Sequence, residues 1–111
     1  MTDCIFCKII AGEIPSKRVY EDDKIIVIND VAPAAPVHIL IIPKEHTENI
    51  LTAPSGLVLH VQEKLPEILS LAGVGPAGFR LVINTGDEGG QTVKHLHFHI
   101  LAGKAMGWPP C

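Results

Sequence analysis

Aromatic and charged residues are scarce in this sequence, and their scarcity narrows what the chain can be. Aromatic residues make up 5% of it and charged residues 19%, with a formal net charge of −3. A protein that binds nucleic acid or an anionic membrane usually presents a basic surface. The composition therefore argues against a nucleic-acid polymer or an anionic membrane as partner, although it leaves a single nucleotide open.

The sequence also lacks a long hydrophobic run, and it has only three cysteines. Its longer apolar segments, such as HILIIP, are far too short to cross a membrane. The N-terminal segment MTDCIFCKII carries an acidic residue early and does not follow the pattern of a signal peptide. An odd cysteine count without secretory context is typical of reduced thiols, so we expect a cytoplasmic protein.

What the sequence has in excess is apolar residues, which make up 47% of its 111 positions. This length corresponds to one domain, residues 1–111. A small domain has a large surface for its volume and buries apolar side chains inefficiently. The apolar surplus therefore predicts a subunit interface, most simply that of a homodimer.

The order of patterned segments predicts an α+β fold with a mostly antiparallel sheet. Asp3 is predicted to cap a short helix from Cys4 to Ala11. Apolar residues recur at helical spacing over 57–72, although Pro66 is expected to kink or split this long helix, and His60 is predicted to lie on its solvated side. Five segments predict strands: RVYE, KIIVIN, HILIIP, FRLVIN and the histidine-rich VKHLHFHILAG.

Three histidines alternate with apolar residues in HLHFHI, at positions 95, 97 and 99. On a strand they would share one face, while the apolar residues between them would face the core. A solvated polar row is the plain alternative, yet other polar residues would serve that purpose equally well. One metal ion for all three is disfavoured because His95 and His99 would lie ~13 Å apart on a regular strand. The row favours a groove in which each imidazole has its own role, with His97 as a nucleophile.

The glycine-rich segment GDEGGQT precedes these histidines. Gly86, Gly89 and Gly90 allow its backbone to approach a phosphate closely, and Thr92 adds a hydroxyl. An ordinary hairpin turn would also use glycines, so both interpretations stay open.

The motif His-φ-His-φ-His-φ-φ, with φ apolar, fits HLHFHIL, and the sequence resembles the histidine triad (HIT) family. The segments CIFCKIIAGEIPS, VHILIIPKEH, INTGDEGGQTV and WPP are similar to its Hint-like branch, the nucleoside phosphoramidases. The resemblance implies a five-stranded antiparallel sheet with one long and one short helix, dimerising into a ten-stranded sheet. It implies hydrolysis of nucleoside 5′-phosphoramidates, purine preferred, through a nucleotidyl-histidine intermediate. A dinucleoside polyphosphate hydrolase and a nucleotide-binding regulatory protein with little turnover are the alternatives.

Matched by position, the resemblance implies catalytic roles for five residues. His97 is the nucleophile, His99 binds the phosphate, His38 orients the nucleophile, His95 is a scaffold, and Thr92, where the family often has serine, assists at the bridging atom. The implied nucleotide-binding residues are Asp30, Asn84, Gly90, Gln91, Thr92, His97, His99, Trp108 and, around the base, Ile5, Phe6, Ile28 and Val31. Without the family, Asp30 would be interpreted as a turn residue, the apolar residues as core, and Trp108 as a plug of the dimer surface.

A second site is indicated by Cys4-x-x-Cys7, which has the spacing of metal ligands. In bacterial proteins that resemble this one, two such cysteines hold a structural zinc together with two histidines, here His46 and His95. The resemblance thus implies structural Zn²⁺ and no cofactor for catalysis. Buried free thiols are the alternative, and a redox pair is disfavoured because no strand precedes the motif. Cys111 has no evident partner.

Overall fold

One five-stranded antiparallel sheet organises the computed structural model, which describes residues 3–110. The elements are α1 (Ile5–Ile10), β1 (Arg18–Glu21), β2 (Ile25–Asn29), β3 (Val37–Pro43), α2 (Leu57–Ala72), β4 (Arg80–Val82) and β5 (Phe98–Ala102). The strand order is β1-β2-β3-β5-β4, and every pair of neighbours is antiparallel. The predicted α+β class, with one long and one short helix, is confirmed. Among the described residues, no helix is both long enough and apolar enough to span a membrane.

The sheet buries apolar side chains on both faces, and a different helix accompanies each face. The face under α2 contains the larger cluster: Ile25, Val27, Ile39, Ile41, Leu57, Val61, Ile68, Leu96, Phe98 and Ile100. The face under α1 contains Phe6, Ile9, Ile26, Ile28, Leu40 and Ile42. The central strands β2 and β3 are covered on both sides, and accordingly their sequences are apolar except for Asn29 and His38.

The first helix begins later than the sequence predicts. Cys4, and not Asp3, is its N-cap, and the Cys4 Sγ accepts a hydrogen bond of 3.4 Å from the amide of Cys7. An N-cap side chain must reach the amide two or three residues further on, and Asp3 lies one residue too early for that of Cys7. Both cysteines consequently lie at the first turn, on the side facing the histidines.

The second helix runs from Leu57 to Ala72 as one element, so of the two expected effects of Pro66, a kink or a split, the split does not occur. Buried side chains on both sides of the proline, Val61 and Ile68, anchor the helix to the core. The prediction of a solvated His60 is also wrong. Its Nε2 lies 2.8 Å from Asp22 Oδ2, which fastens the helix to the turn between β1 and β2.

The last two strands are shorter than predicted. β4 covers three residues of FRLVIN, because this edge strand pairs with β5 alone and only from Arg80 to Val82. β5 begins at Phe98, so it includes His99 but neither His95 nor His97. The alternation nevertheless continues upstream of the strand, and the apolar residues of the motif all lie in the α2-side core, as predicted: Leu96, Phe98 and Ile100.

Candidate active site

His97 occupies the middle of the motif and is 7% exposed. Its Nδ1 lies 2.7 Å from the carbonyl oxygen of His95. A carbonyl can only accept, so Nδ1–H donates and the neutral ring keeps a lone pair on Nε2. The ring of Phe6 packs edge-on against it, with centroids 4.9 Å apart. An imidazole held in this tautomer, with Nε2 unprotonated, is in the form required of a nucleophile.

His99 and His38 form a hydrogen-bonded pair beside His97. His38 Nε2 lies 2.9 Å from His99 Nδ1, and the same Nε2 lies 3.4 Å from Asp30 Oδ2. Burial, followed by positive charge on His97 and His38, lowers the pKa of His99 from 6.5 to about 4. His99 is therefore neutral near pH 7, with one ring nitrogen accepting and the other free to donate.

Cys4, Cys7, His46 and His95 form a second cluster, whose four donor atoms all lie within 4.8 Å of one another. His95 Nδ1 is 3.4 Å from Cys4 Sγ, 3.6 Å from Cys7 Sγ and 3.1 Å from His46 Nδ1. Tetrahedral zinc, with bonds of about 2.0 to 2.3 Å, separates its ligand atoms by roughly 3.3 to 3.7 Å. His95 Nε2 donates to the Pro43 carbonyl at 2.9 Å, which leaves the lone pair on Nδ1, facing the cysteines.

His95 is in the charge state that a cation requires, whereas the Cys7 thiol must first lose its proton. Burial, together with a hydrogen bond to Cys4, raises the pKa of the Cys7 thiol, and burial lowers the pKa of His95. Neutral histidine is a ligand as it stands, while the thiols must lose their protons when a metal binds. These four residues could therefore hold zinc, with Cys₂His₂ coordination of the closed, structural kind.

Asp30, His38 and His99 also bring three potential ligand atoms within 4.8 Å of one another. Their hydrogen bonds oppose a cation, however. The amide of Ala34 donates to His38 Nδ1 at 3.0 Å, so the proton of neutral His38 is on Nε2, the atom that faces the cluster. The three histidines of the motif thus have separate partners: His95 contacts the cysteines, His97 a carbonyl, and His99 another histidine.

The glycine-rich loop is held by its own hydrogen bonds. The amides of Gly90 and Gln91 donate to Asp87 and Gly86 carbonyls, at 3.1 and 3.0 Å. The buried side chain of Gln91 donates to the carbonyls of Glu48 and Val93. A Cβ at Gly89 would lie 2.2 Å from the Thr85 carbonyl oxygen, so this position requires glycine.

Asn84 closes the same loop through a 2.7 Å bond from its Nδ2 to the Gly89 carbonyl. The amides of Gly90 and Gln91 already donate within the loop, to the carbonyls of Asp87 and Gly86. Thr92 is exposed and lines a cavity of about 460 Å³ together with Cys4, Ile5 and His46.

The remaining residues implied for the nucleotide site divide into two groups. Phe6 is buried against His95 and His97, Ile28 is buried in the same cluster as Phe6, and Ile5 is 47% exposed at the start of α1. Val31 is fully exposed and Trp108 is 85% exposed. Two groups that contact histidines of the site, the Ala34 amide and the Pro43 carbonyl, could not be predicted from the sequence, because the residue type does not show where a backbone group points.

Comparison with known proteins agrees with this geometry. The family model described as HIT domain matches residues 11–106. A HIT-like protein of Synechococcus elongatus is 50% identical over 97% of this chain and 96% of its own length. Protein HitA of Neisseria gonorrhoeae is 46% identical over 91% of this chain and 96% of its own.

Solved structures give the same result. A histidine triad protein from Clostridium difficile superposes with a TM-score of 0.90 at 47% identity, covering 96% of both chains. A HIT family hydrolase from Legionella pneumophila has a TM-score of 0.91 at 41% identity, covering 98% of this chain and 100% of the other. With its fold, its motif and nearly its whole length matched, this chain belongs to the histidine triad family.

Proposed function

We propose that this protein hydrolyses nucleoside 5′-phosphoramidates, purine preferred, to a nucleoside monophosphate and an amine. The observation that carries the proposal is the 2.7 Å hydrogen bond from His97 Nδ1 to the His95 carbonyl, which leaves a lone pair on Nε2. His38 donates from Nε2 to His99 beside it, which leaves His99 Nε2–H as a donor for phosphoryl oxygens. Similarity to a HIT family hydrolase from Legionella pneumophila supports hydrolysis as the reaction class.

The reaction would proceed in two displacements at phosphorus. His97 Nε2 attacks, a P–N bond forms to the ring, and the P–N bond to the amine breaks. The departing nitrogen must gain a proton, and we propose that solvent water supplies it through the exposed Thr92 hydroxyl. Water then attacks the nucleotidyl-His97, the monophosphate leaves, and His97 is regenerated. His99 would stabilise the negative oxygens that develop in both steps.

The nucleoside would lie against α1 and β2. Ile5, which is 47% exposed, offers an apolar surface for the base beside the buried Phe6 and Ile28, and a purine would bury more of it than a pyrimidine. Asp30 is half-buried at the end of β2, where its carboxylate would accept hydrogen bonds from ribose hydroxyls.

We further propose that the protein is cytoplasmic and forms a homodimer. Each subunit would hold one structural zinc ion. β4 is an edge strand that bears the half-exposed Leu81, and Phe79 and Trp108 are also exposed. Pairing of two β4 edges would produce a ten-stranded sheet and cover apolar surface. Sedimentation equilibrium measures this assembly directly, and a monomer at micromolar concentration would contradict it.

Release of AMP from adenosine 5′-phosphoramidate tests the function. We expect turnover by the wild type and a loss of about 10³-fold or more in His97→Ala, because the variant has no nucleophile. His60→Gln is the matched control, since it removes a histidine that contacts Asp22 on the α2 side of the sheet. A folded wild-type protein that releases no AMP would contradict the proposal. Diadenosine polyphosphate as the only substrate would favour the alternative hydrolase, and tight AMP binding without turnover would favour a regulatory protein.

A further inference from the structure

The backbone amide of Ala34 points at a ring nitrogen of His38. The donor and acceptor, Ala34 N and His38 Nδ1, are 3.0 Å apart. An amide can only donate, so Nδ1 must keep its lone pair, and the proton of the neutral ring must be on Nε2. This contact therefore selects between the two tautomers of His38, and the Asp30 carboxylate, 3.4 Å from Nε2, favours the same one.

The loop that carries this amide is stiff and closely held. Ala34 lies between Pro33 and Pro36, whose rings restrict the backbone. Pro36 approaches the end of β5 so closely that a Cβ at Gly103 would lie 2.9 Å from its Cβ. The amide is thus fixed in direction before any substrate arrives.

The tautomer of His38 determines that of His99. His38 Nε2–H faces His99 Nδ1 at 2.9 Å, while Asp30 Oδ2 is further from the same atom, at 3.4 Å. Two N–H groups cannot face each other across this distance, so His99 Nδ1 accepts and its proton is on Nε2. The Ala34 amide therefore donates to His38 Nδ1, and His38 Nε2–H donates to His99 Nδ1. His99 Nε2–H remains as a donor.

A backbone group also fixes the tautomer of His97, but in the opposite sense. The carbonyl oxygen of His95 accepts a hydrogen bond from His97 Nδ1–H, so His97 Nε2 has the lone pair. The two rings are neighbours, with centroids 5.0 Å apart. One backbone carbonyl and one backbone amide thus give adjacent histidines opposite states at Nε2: a lone pair on His97 and an N–H on His99.

We propose that the Ala34 amide is a positioning group that turns His99 into a hydrogen-bond donor for the phosphoryl oxygens, an inference that rests on the proposed function. If the amide were absent, His38 could carry its proton on Nδ1 and accept at Nε2. His99 would then donate from Nδ1 and present a lone pair at Nε2, which repels a phosphoryl oxygen. His97 would keep its tautomer, because its carbonyl partner is unaffected.

Two-bond ¹H–¹⁵N NMR correlations of the histidine rings test this directly, since they report which nitrogen carries the proton. In the wild type we expect Nε2–H for His38 and His99 and Nδ1–H for His97. Ala34→Pro removes the amide hydrogen, and Ala34→Gly is the matched control that keeps it. In Ala34→Pro we expect mixed tautomers for His38 and His99, an unchanged His97, and AMP release slower by about tenfold, the order expected for one lost hydrogen bond.

Substitution of Ala34 by its α-hydroxy analogue, lactic acid, provides a second variant that removes the same N–H without adding a ring. The inference is overturned if wild-type His38 carries its proton on Nδ1. It is equally overturned if the His38 and His99 tautomers stay unchanged in both Ala34→Pro and the lactic acid variant. A wild type with the expected tautomers but no turnover would support the inference and count against the proposed function.

Discussion

Among the individual residues, the active-site histidine His99 makes the free energy of unfolding depend on pH in the acid range. Its pKa in the folded protein is about 4, against 6.5 for an ordinary histidine, chiefly because burial disfavours the charged ring. Between these two pH values the unfolded chain binds a proton that the folded chain does not. The stability that this group contributes is thus present above pH 6.5 and is lost as the pH falls towards 4.

We therefore expect a flatter pH dependence in His99→Asn, whose amide oxygen can still accept from His38. Urea unfolding of wild type and variant at several pH values between 4 and 7 provides the free energies of unfolding. The wild-type value should decline more steeply with acidification than that of the variant. Parallel curves would show that His99 does not titrate as described.

The residues of this site differ in how far their sequence reveals them. His97 could be identified because three alternating histidines are rare, and Cys4 and Cys7 because their spacing is that of metal ligands. The tautomers could not be predicted, since they depend on the direction of a carbonyl and an amide. His60 was misjudged because its partner Asp22 lies 38 positions away, and only the packing of α2 on the sheet brings them together.

Among the elements, α2 contains a proline in its interior. Pro66 is exposed, cannot donate to the carbonyl of Gln62, and lies within an otherwise continuous helix. Pro66→Ala should therefore raise the free energy of unfolding by about 1–2 kcal/mol, after allowance for a more flexible unfolded chain. Urea denaturation measures this change. Glu63→Gln, at another exposed position of α2, should change stability by no more than about 0.5 kcal/mol, and a less stable Pro66→Ala would contradict the prediction.

The elements themselves were largely predictable, while their ends were not. β2 and β3 are long apolar runs that any packing would bury. The end of β4 depends on where β5 stops pairing with it, and the start of α1 on which side chain reaches the Cys7 amide. Both are tertiary facts, so a local pattern could place these boundaries only within a residue or two.

For the whole molecule, the four potential zinc ligands bring together distant parts of the chain. Cys4 and Cys7 come from α1, His46 follows β3, and His95 precedes β5. Zinc held by these residues would tie α1 to the sheet. Chelation should then lower the melting temperature by about 10 °C or more, while AMP release at 25 °C stays nearly constant.

Differential scanning calorimetry with and without a chelator measures the first effect. The Cys4→Ser/Cys7→Ser double variant should melt at the lower temperature, and the chelator should not change its melting temperature. Cys111→Ser, which removes the third thiol, should behave as the wild type. A melting temperature that chelation leaves unchanged in metal-loaded protein would contradict a structural zinc. Loss of turnover in folded, chelated protein would contradict histidine-only chemistry.

The two faces of the sheet are unequally covered, since α2 has 16 residues and α1 has 6. The proposed nucleotide surface lies on the thinly covered face, where Ile5 is still half-exposed. A molecule that binds there completes the packing, and at a hundred times its dissociation constant it adds about 2.7 kcal/mol to the stability. A melting curve is therefore a detector of ligands for this protein. Screening metabolite mixtures by thermal shift would find the natural substrate even when no assay has been devised for its leaving group.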